Sequence, residues 1–365
     1  MEKRRFGHID IPLKRVHIEL TNACDFDCLF CPKSVMKRPF GYMDTDLAKN
    51  ILNEIGENGI CEKVTFHVMG EPTMHPRFFD ILGHALSKGV KVGLTTNGSA
   101  LGGEKGKRLL DYPLHQIDVS LQTPDAESFK LRKSRTLSFD SYLRGILRFF
   151  HSYKSKWPEA TFKFRFLNTS FRKRGLERKV GRMSVISSTE ELRSTFQYWV
   201  GSIYDMFGVE KEKRNLALKR IDSLVSYKWN VVEVYPGVHF ETYVLEDWGN
   251  AFDDAKVRGA WGGYCFGMRD HFGILYNGDV TLCCVDFDGN TAVGNLNNAS
   301  LKDILSSDEV GRIVKGFRRL QLVHPYCRHC LGSRTFASWL FKPILSVTVL
   351  KALKPFFYKR TRLYQ

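Results

Sequence analysis

Short apolar, β-branched runs alternate with helix-period stretches over the first two thirds of this chain, and that alternation narrows the fold more than any other feature. Runs with strand character are RVHIEL (15–20), KVTFHVM (63–69), VKVGLTT (90–96), QIDVSLQ (116–122), FKFRFLN (162–168) and NVVEVY (230–235). Helices are predicted between them: from Asp44 to Gly56 behind an Asp-Thr-Asp start, from Arg77 to Lys88, from Glu104 to Asp111 and from Ser138 to Tyr153. Strand and helix in repetition mark βα units around a parallel sheet, so the fold class is α/β. The span 171–228 exceeds an ordinary βα connection and reads as polar, basic helices inserted between the fifth and sixth strands. After about residue 255 the texture changes to Gly, Cys and short strands, with a hairpin predicted around Asn277-Gly278. A second, smaller unit begins there.

At 365 residues the chain is long enough for one barrel-sized unit and a smaller one. No window of about twenty uninterrupted apolar residues occurs, so no membrane-spanning helix is predicted. The start, MEKRRFGHIDIPLKR, lacks the apolar centre and small-residue cleavage site of a signal peptide, and the expected location is the cytoplasm. Thiols stay reduced there, so nine cysteines point to metal sites rather than disulfides. A net charge of +16 favours anionic partners: nucleic acid, phosphorylated substrates or anionic lipid. The excess gathers in FRKRGLERKVGR (171–182), read as a solvated helix face, and in KALKPFFYKRTRLYQ (351–365).

Immediately after the first strand, TNACDFDCLFCP packs Cys24, Cys28 and Cys31 into eight positions. A zinc site usually shows paired cysteines completed by a second pair or by histidines. Three thiolates on a four-iron cluster instead leave one iron open to an outside ligand. This spacing, in this place, resembles the radical S-adenosylmethionine (SAM) superfamily. The resemblance implies a partial (β/α)6 TIM-like barrel, with SAM chelating the open iron. VMGEPTMHPRF (68–78) resembles the family's second-strand motif, in which Gly70 lets the backbone approach, Glu71 accepts from the SAM ammonium and Pro72 fixes the turn. LTTNG (94–98), with Asn97, resembles its third-strand ending, and Phe30 matches the aromatic beside the adenine. Ser120 and Gln122 alternate with Val119 and Leu121, so they share one face and either contact SAM or line the barrel. Arg165, flanked by Phe164 and Phe166, is expected to pair with the SAM carboxylate or with an acid such as Glu19. These marks fall at C-terminal strand ends, where barrels build active sites.

Cys265, Cys283, Cys284, Cys327 and Cys330 gather in the last third. Their arrangement resembles the SPASM and Twitch domains, small cysteine-rich α+β units that bind auxiliary iron-sulfur clusters. One such cluster is expected on Cys265, Cys283, Cys327 and Cys330, with Cys284 able to replace its neighbour and a structural zinc as the alternative occupant. Cys61 stands alone and reads as a buried or idle thiol. The resemblance implies reductive cleavage of SAM to a 5'-deoxyadenosyl radical, hydrogen abstraction, and electron loss to the auxiliary cluster. An external reductase such as flavodoxin or ferredoxin would supply electrons. Asp286 and Tyr276 are the candidate bases. Only about fifteen residues precede the first strand, too few for a peptide-recognition domain, which favours a small or carbohydrate-like substrate over a peptide.

The expected division is an arm (1–14), the barrel (15–254), the cluster domain (255–333) and a tail (334–365). The tail, apolar then basic over 336–360, suits an anionic membrane surface or docking on the barrel. The rival class is a non-catalytic metal-cluster protein that binds nucleic acid through its basic surface. No aromatic RNA-binding motif supports it, and no nucleic-acid partner is expected.

Overall fold

The protein is described from a computed structural model covering residues 4–170, 174–245, 248–252 and 257–349. The basic run at 351–365 and the expected boundary at 254/255 lie outside the described residues.

The strands are β1 (Arg4–Phe6), β2 (Ile9–Ile11), β3 (Arg15–Ile18), β4 (Val64–Phe66), β5 (Val92–Thr96), β6 (Gln116–Gln122), β7 (Thr161–Asn168), β8 (Val231–Tyr235), β9 (Val238–Val244), β10 (His271–Ile274) and β11 (Val280–Thr281). The first two form a separate hairpin, and the other nine make one sheet in the order β11-β10-β3-β4-β5-β6-β7-β9-β8. From β10 to β9 every pairing is parallel, while β11 and β8 join antiparallel at the two ends. The end strands do not pair with each other, so the sheet is an open barrel wall.

Two sequence expectations need correction. NVVEVY is a strand, but it is the antiparallel edge β8; the sixth parallel strand is β9, which follows through a turn with Gly237 at φ +69°. The Pro236-Gly237 turn splits what read as one strand and a loop into a hairpin. The 171–228 span is also more than a polar insertion. It holds three helices, Arg174–Val180, Thr189–Phe207 and Lys211–Asp222, and the middle one buries a hydrophobic face on the sheet.

The helices are α1 (Thr45–Asn58), α2 (Phe78–Ser87), α3 (Glu104–Leu109), α4 (Ala126–Phe129), α5 (Phe139–Lys156), α6 (Arg174–Val180), α7 (Thr189–Phe207), α8 (Lys211–Asp222), α9 (Leu301–Leu305), α10 (Asp308–Arg318), α11 (Pro325–Cys330) and α12 (Phe336–Ser346). The Asp44 carboxylate caps α1 by accepting from Asp46 N and Leu47 N, both at 2.9 Å, and Gly59 ends the helix at φ +57°. In α7, Leu192, Phe196, Trp199, Val200 and Ile203 recur at helical spacing and are fully buried. Their rings meet Phe164, Phe166 and Phe240 of the sheet, so α7 is the crossover helix between β7 and β9.

The period of two along the strands separates the sheet's faces. Val16, Ile18, Val64, Phe66, Leu94, Ile117, Phe162, Phe164 and Phe240 belong to the apolar core under the helices. The alternating residues are polar, and the register sets them in rows across neighbouring strands. Thus His17 lies opposite Thr65, Thr95 opposite Asp118, Asp118 opposite Lys163, Lys163 opposite His239, and Arg165 opposite Glu241. The barrel lumen is therefore lined with ionisable groups.

Candidate active site

The cysteine loop leaves β3 and lies along the segment before α5: Asp27 N donates to Arg132 O and Leu29 N to Leu131 O. Lys33 braces it from inside, with Nζ donating to Cys24 O, Phe26 O and the Asp27 carboxylate. Arg132, 2% exposed, ties the loop to two strand ends. Its guanidinium stacks on Phe26 and donates to the carbonyls of Ser120 (2.7 Å), Leu121 (2.6 Å) and Asn97 (3.3 Å). Burial pushes the Cys24 and Cys31 thiols up to about 12, and Cys28 is raised by burial as well, with Arg132 opposing. Such thiols stay protonated until a metal's positive charge draws them into the thiolate form.

Gly70, at φ +72°, sits where a Cβ would lie 2.3 Å from Thr21 O and 2.6 Å from Ala23 O. The close approach needed there is to the protein's own cysteine loop. Just before it, Val68 holds φ +147°, a conformation unfavourable for a β-branched residue, at the point where β4 turns into the site.

The expected role of Glu71 changes. Its carboxylate is fully buried and already accepts from Thr73 Oγ1 (2.7 Å), Thr96 Oγ1 (2.9 Å) and Asn97 N (2.6 Å), so it binds the ends of β4 and β5 together rather than reaching outward. Pro72 opens the short turn that presents these donors. Asn97 faces the cysteines, its Nδ2 donating to Asp25 Oδ1 at 2.7 Å and to Cys24 Sγ at 3.5 Å.

The alternation that put Ser120 and Gln122 on one face does not run through. Register shifts between Val119 and Gln122, and Gln122 adopts φ +59°. Gln122 Oε1 is buried with no hydrogen-bond partner. Phe30 packs with Leu167, Leu176, Met183, Leu245 and Phe252. Arg165 pairs with Asp118 (2.7 Å) and Glu241 (3.2 Å), not with Glu19. Burial works against the Asp118 charge, but Arg165 and then Lys163 overcome it and hold the carboxyl at about 2.

Glu19 belongs instead to Arg38, which donates to both of its oxygens at 2.8 and 2.9 Å. Arg38 also donates Nε to Phe287 O, and the Asp288 carboxylate accepts Lys37 N and Arg38 N. This bridge between the two cysteine regions escaped sequence reading, as did Arg132. A lone basic residue carries no local mark of a partner 19 or about 250 positions away.

In the second region, Cys327 and Cys330 project from α11 one turn apart. Cys283 is raised well above an ordinary thiol by burial, then by Cys265, Cys284 and Cys330; Cys327 is raised by burial, then by Cys265 and Cys330. Cys284 turns the other way, its Sγ 3.9 Å from His271 Nε2, so Cys283 faces the cysteine set. Among the described residues no three cysteine sulfurs lie mutually within 4.8 Å.

Both candidate bases already have partners within the fold. The Asp286 carboxylate is fully buried and accepts from Asn290 N, Asn290 Nδ2, Thr291 N and Thr291 Oγ1. Tyr276 donates its hydroxyl to Pro39 O, with its ring against Arg38.

Comparison with known proteins fits this geometry. Residues 18–156 match the radical SAM superfamily and residues 265–331 an iron-sulfur cluster-binding domain, SPASM. A tungsten-containing aldehyde ferredoxin oxidoreductase cofactor-modifying protein of Pyrococcus furiosus is 31% identical over 117 residues, 32% of this chain and 33% of the relative. The mycofactocin maturase MftC of Mycobacterium tuberculosis is 31% identical over 131 residues, 35% of this chain and 32% of the relative. The matched segments thus span about a third of these relatives' lengths. SuiB of Streptococcus suis shares the fold at a TM-score of 0.54, with 15% identity, over 85% of this chain and 69% of SuiB. The donor set fits the cofactors of such domains: open three-cysteine loop, unpartnered Gln122 Oε1, and a second four-cysteine set. Residues 18–156 are thus a radical SAM domain and residues 265–331 a SPASM iron-sulfur cluster-binding domain.

Proposed function

We propose that this protein is a radical SAM enzyme in which Cys24, Cys28 and Cys31 hold the catalytic four-iron cluster and Cys265, Cys283, Cys327 and Cys330 an auxiliary one. When bound, the cluster and SAM supply a 5'-deoxyadenosyl radical that removes a hydrogen atom from substrate. The observation that carries this reading is the three-cysteine loop at the C-terminal end of β3, with Asn97 Nδ2 donating to Cys24 Sγ and, at the end of β6, Gln122 Oε1 buried without a partner. Gly70, Glu71, Pro72 and Asn97 shape the SAM pocket, Glu71 and Gly70 by positioning backbone; Phe30, Ser120 and Gln122 line it.

The lumen supports a small polar or carbohydrate-like substrate. Lys63, Thr65, Gln116, Asp118, Lys163, Arg165 and Glu241 offer hydrogen bonds and charge rather than an apolar slot. A four-thiolate auxiliary cluster accepts an electron more readily than it binds substrate, which favours a net oxidation fed by a flavodoxin- or ferredoxin-type reductase for SAM cleavage. The second reading is peptide modification, favoured by the likeness to the maturase MftC. Among the described residues no helix is long and apolar enough to cross a membrane. Helix α12 exposes Phe336, Phe341, Ile344 and Leu345, which supports a peripheral membrane contact ahead of the basic tail.

Anaerobic reconstitution with iron and sulfide, reduction, and chromatography for 5'-deoxyadenosine from added SAM test the reading. Formation by the wild type and loss in a Cys24/Cys28/Cys31→Ala variant are expected. A reconstituted wild type that binds iron and leaves SAM intact would refute it.

A further inference from the structure

The lumen holds a third group of metal-ligating side chains apart from both cysteine sets. We propose that His17, His271 and Cys284 form a mononuclear site for a divalent transition metal, best suited to zinc. The inference rests on lumen geometry and not on the SAM reading.

Each of the three residues offers one ligand atom, and those atoms all lie within 4.8 Å of one another. They come from three chain segments: the middle of β3, the start of β10, and the turn after β11. Parallel pairing of β10 with β3 brings the two histidines together, with ring centroids 5.3 Å apart. Cys284 Sγ lies 3.9 Å from His271 Nε2. In a tetrahedral site with Zn–S of about 2.3 Å and Zn–N of about 2.0–2.1 Å, that separation is about 3.6 Å. The three atoms therefore stand near the spacing of one ion.

The surroundings fit a ligand set. Thr65 Oγ1 is 2.6 Å from His17 Nδ1, which orients the ring and commits that nitrogen, leaving Nε2 for a metal. Outer partners of this kind fix ligating histidines in metal sites. His17 is 5% exposed, so the ligand atoms lie inside the protein rather than on its surface. Two imidazoles and one thiolate match the donor preference of zinc and leave a fourth position for water or a substrate heteroatom. Cys284 Sγ stands at His271 Nε2, which leaves its neighbour Cys283 for the auxiliary cluster while Cys284 serves this ion.

The test uses the full chain, reconstituted anaerobically with iron and sulfide, incubated with Zn2+ and passed over a chelating resin. Iron and zinc are counted by mass spectrometry, and zinc K-edge X-ray absorption reads the ligand shell. About one retained zinc per chain, with a shell of two nitrogens and one sulfur, is expected. Cys284→Ser and His271→Ala should lose the zinc and keep wild-type iron and circular dichroism. Thr65→Val, which spares all three ligands, should weaken zinc retention about 10- to 100-fold. Wild type retaining no more zinc than Cys284→Ser would overturn the proposal. So would an all-sulfur shell, which places zinc in a cysteine set, or loss of iron from Cys284→Ser, which makes Cys284 a cluster ligand.

Discussion

Replacing Arg38 by Met strips the buried Glu19 carboxylate of its countercharge. Glu19 is fully buried, and besides Arg38 it accepts from Met69 N at 3.1 Å and Tyr276 N at 3.3 Å. Two amide donors do not replace a bidentate guanidinium, and removing one partner of a buried ion pair costs about 3–5 kcal/mol. That is a large share of the roughly 5–15 kcal/mol by which such proteins are stable. Burial raises the Glu19 pKa even with Arg38 present, and Arg38 opposes the rise. In the variant the folded-state pKa therefore climbs further above the unfolded value. Across that window the folded chain binds more protons than the unfolded one, so the Glu19 contribution is least unfavourable at low pH and worsens as pH rises. Anaerobic urea unfolding followed by far-ultraviolet circular dichroism should thus show a smaller deficit at about pH 5.5 than at about pH 8. A Glu19→Gln/Arg38→Met double variant removes the stranded charge and should recover at least half of the loss; the missing Arg38 Nε bond to Phe287 O keeps the recovery partial. A single variant within about 1 kcal/mol of wild type, or a double variant no more stable than the single, refutes the reasoning.

Three further substitutions probe the site. Gly70→Ala drives a Cβ against Thr21 O and Ala23 O and should displace the cysteine loop, seen as loss of about one cluster's iron with the second cluster kept. Arg132→Leu leaves the Ser120, Leu121 and Asn97 carbonyls without their charged donor; at about 1.5–3 kcal/mol per charged bond, a stability loss of about 3 kcal/mol or more is expected in urea unfolding, with Arg132→Lys intermediate. Gln122→Leu removes an unsatisfied oxygen, so stability should not fall, while SAM affinity by equilibrium dialysis should weaken about tenfold, or about 1.4 kcal/mol.

What the sequence made legible was local. The cysteine spacing at 24, 28 and 31, the Gly70-Glu71-Pro72 turn and the Asp44 cap all depend on neighbours a few positions apart. The βα alternation was readable because each strand carries its own apolar run. What escaped depends on register and distance. β9 was hidden because its run follows β8 across only two turn residues, and α7 because its apolar stripe sits among charged neighbours. Glu71 looked like a ligand-facing acid, yet it accepts from Thr73, Thr96 and Asn97, and Thr96 and Asn97 come from the next strand's end. Arg165 could be recognised as needing an acid, but whether that acid was Glu19, Asp118 or Glu241 was fixed by strand order. Asp286 and Tyr276 could not be told from solvated turn residues until their partners were seen.

The central claim is that two separate cysteine sets each carry an iron-sulfur cluster. Iron and sulfide counts with Mössbauer spectra, taken on reconstituted wild type, the Cys24/Cys28/Cys31→Ala variant and a Cys265/Cys283/Cys327/Cys330→Ala variant, test it most directly. The account predicts about eight irons per wild-type chain and about four in each variant, with SAM perturbing the spectrum only where Cys24, Cys28 and Cys31 are intact. Wild type with about four irons, or loss of all iron from either variant, would contradict it.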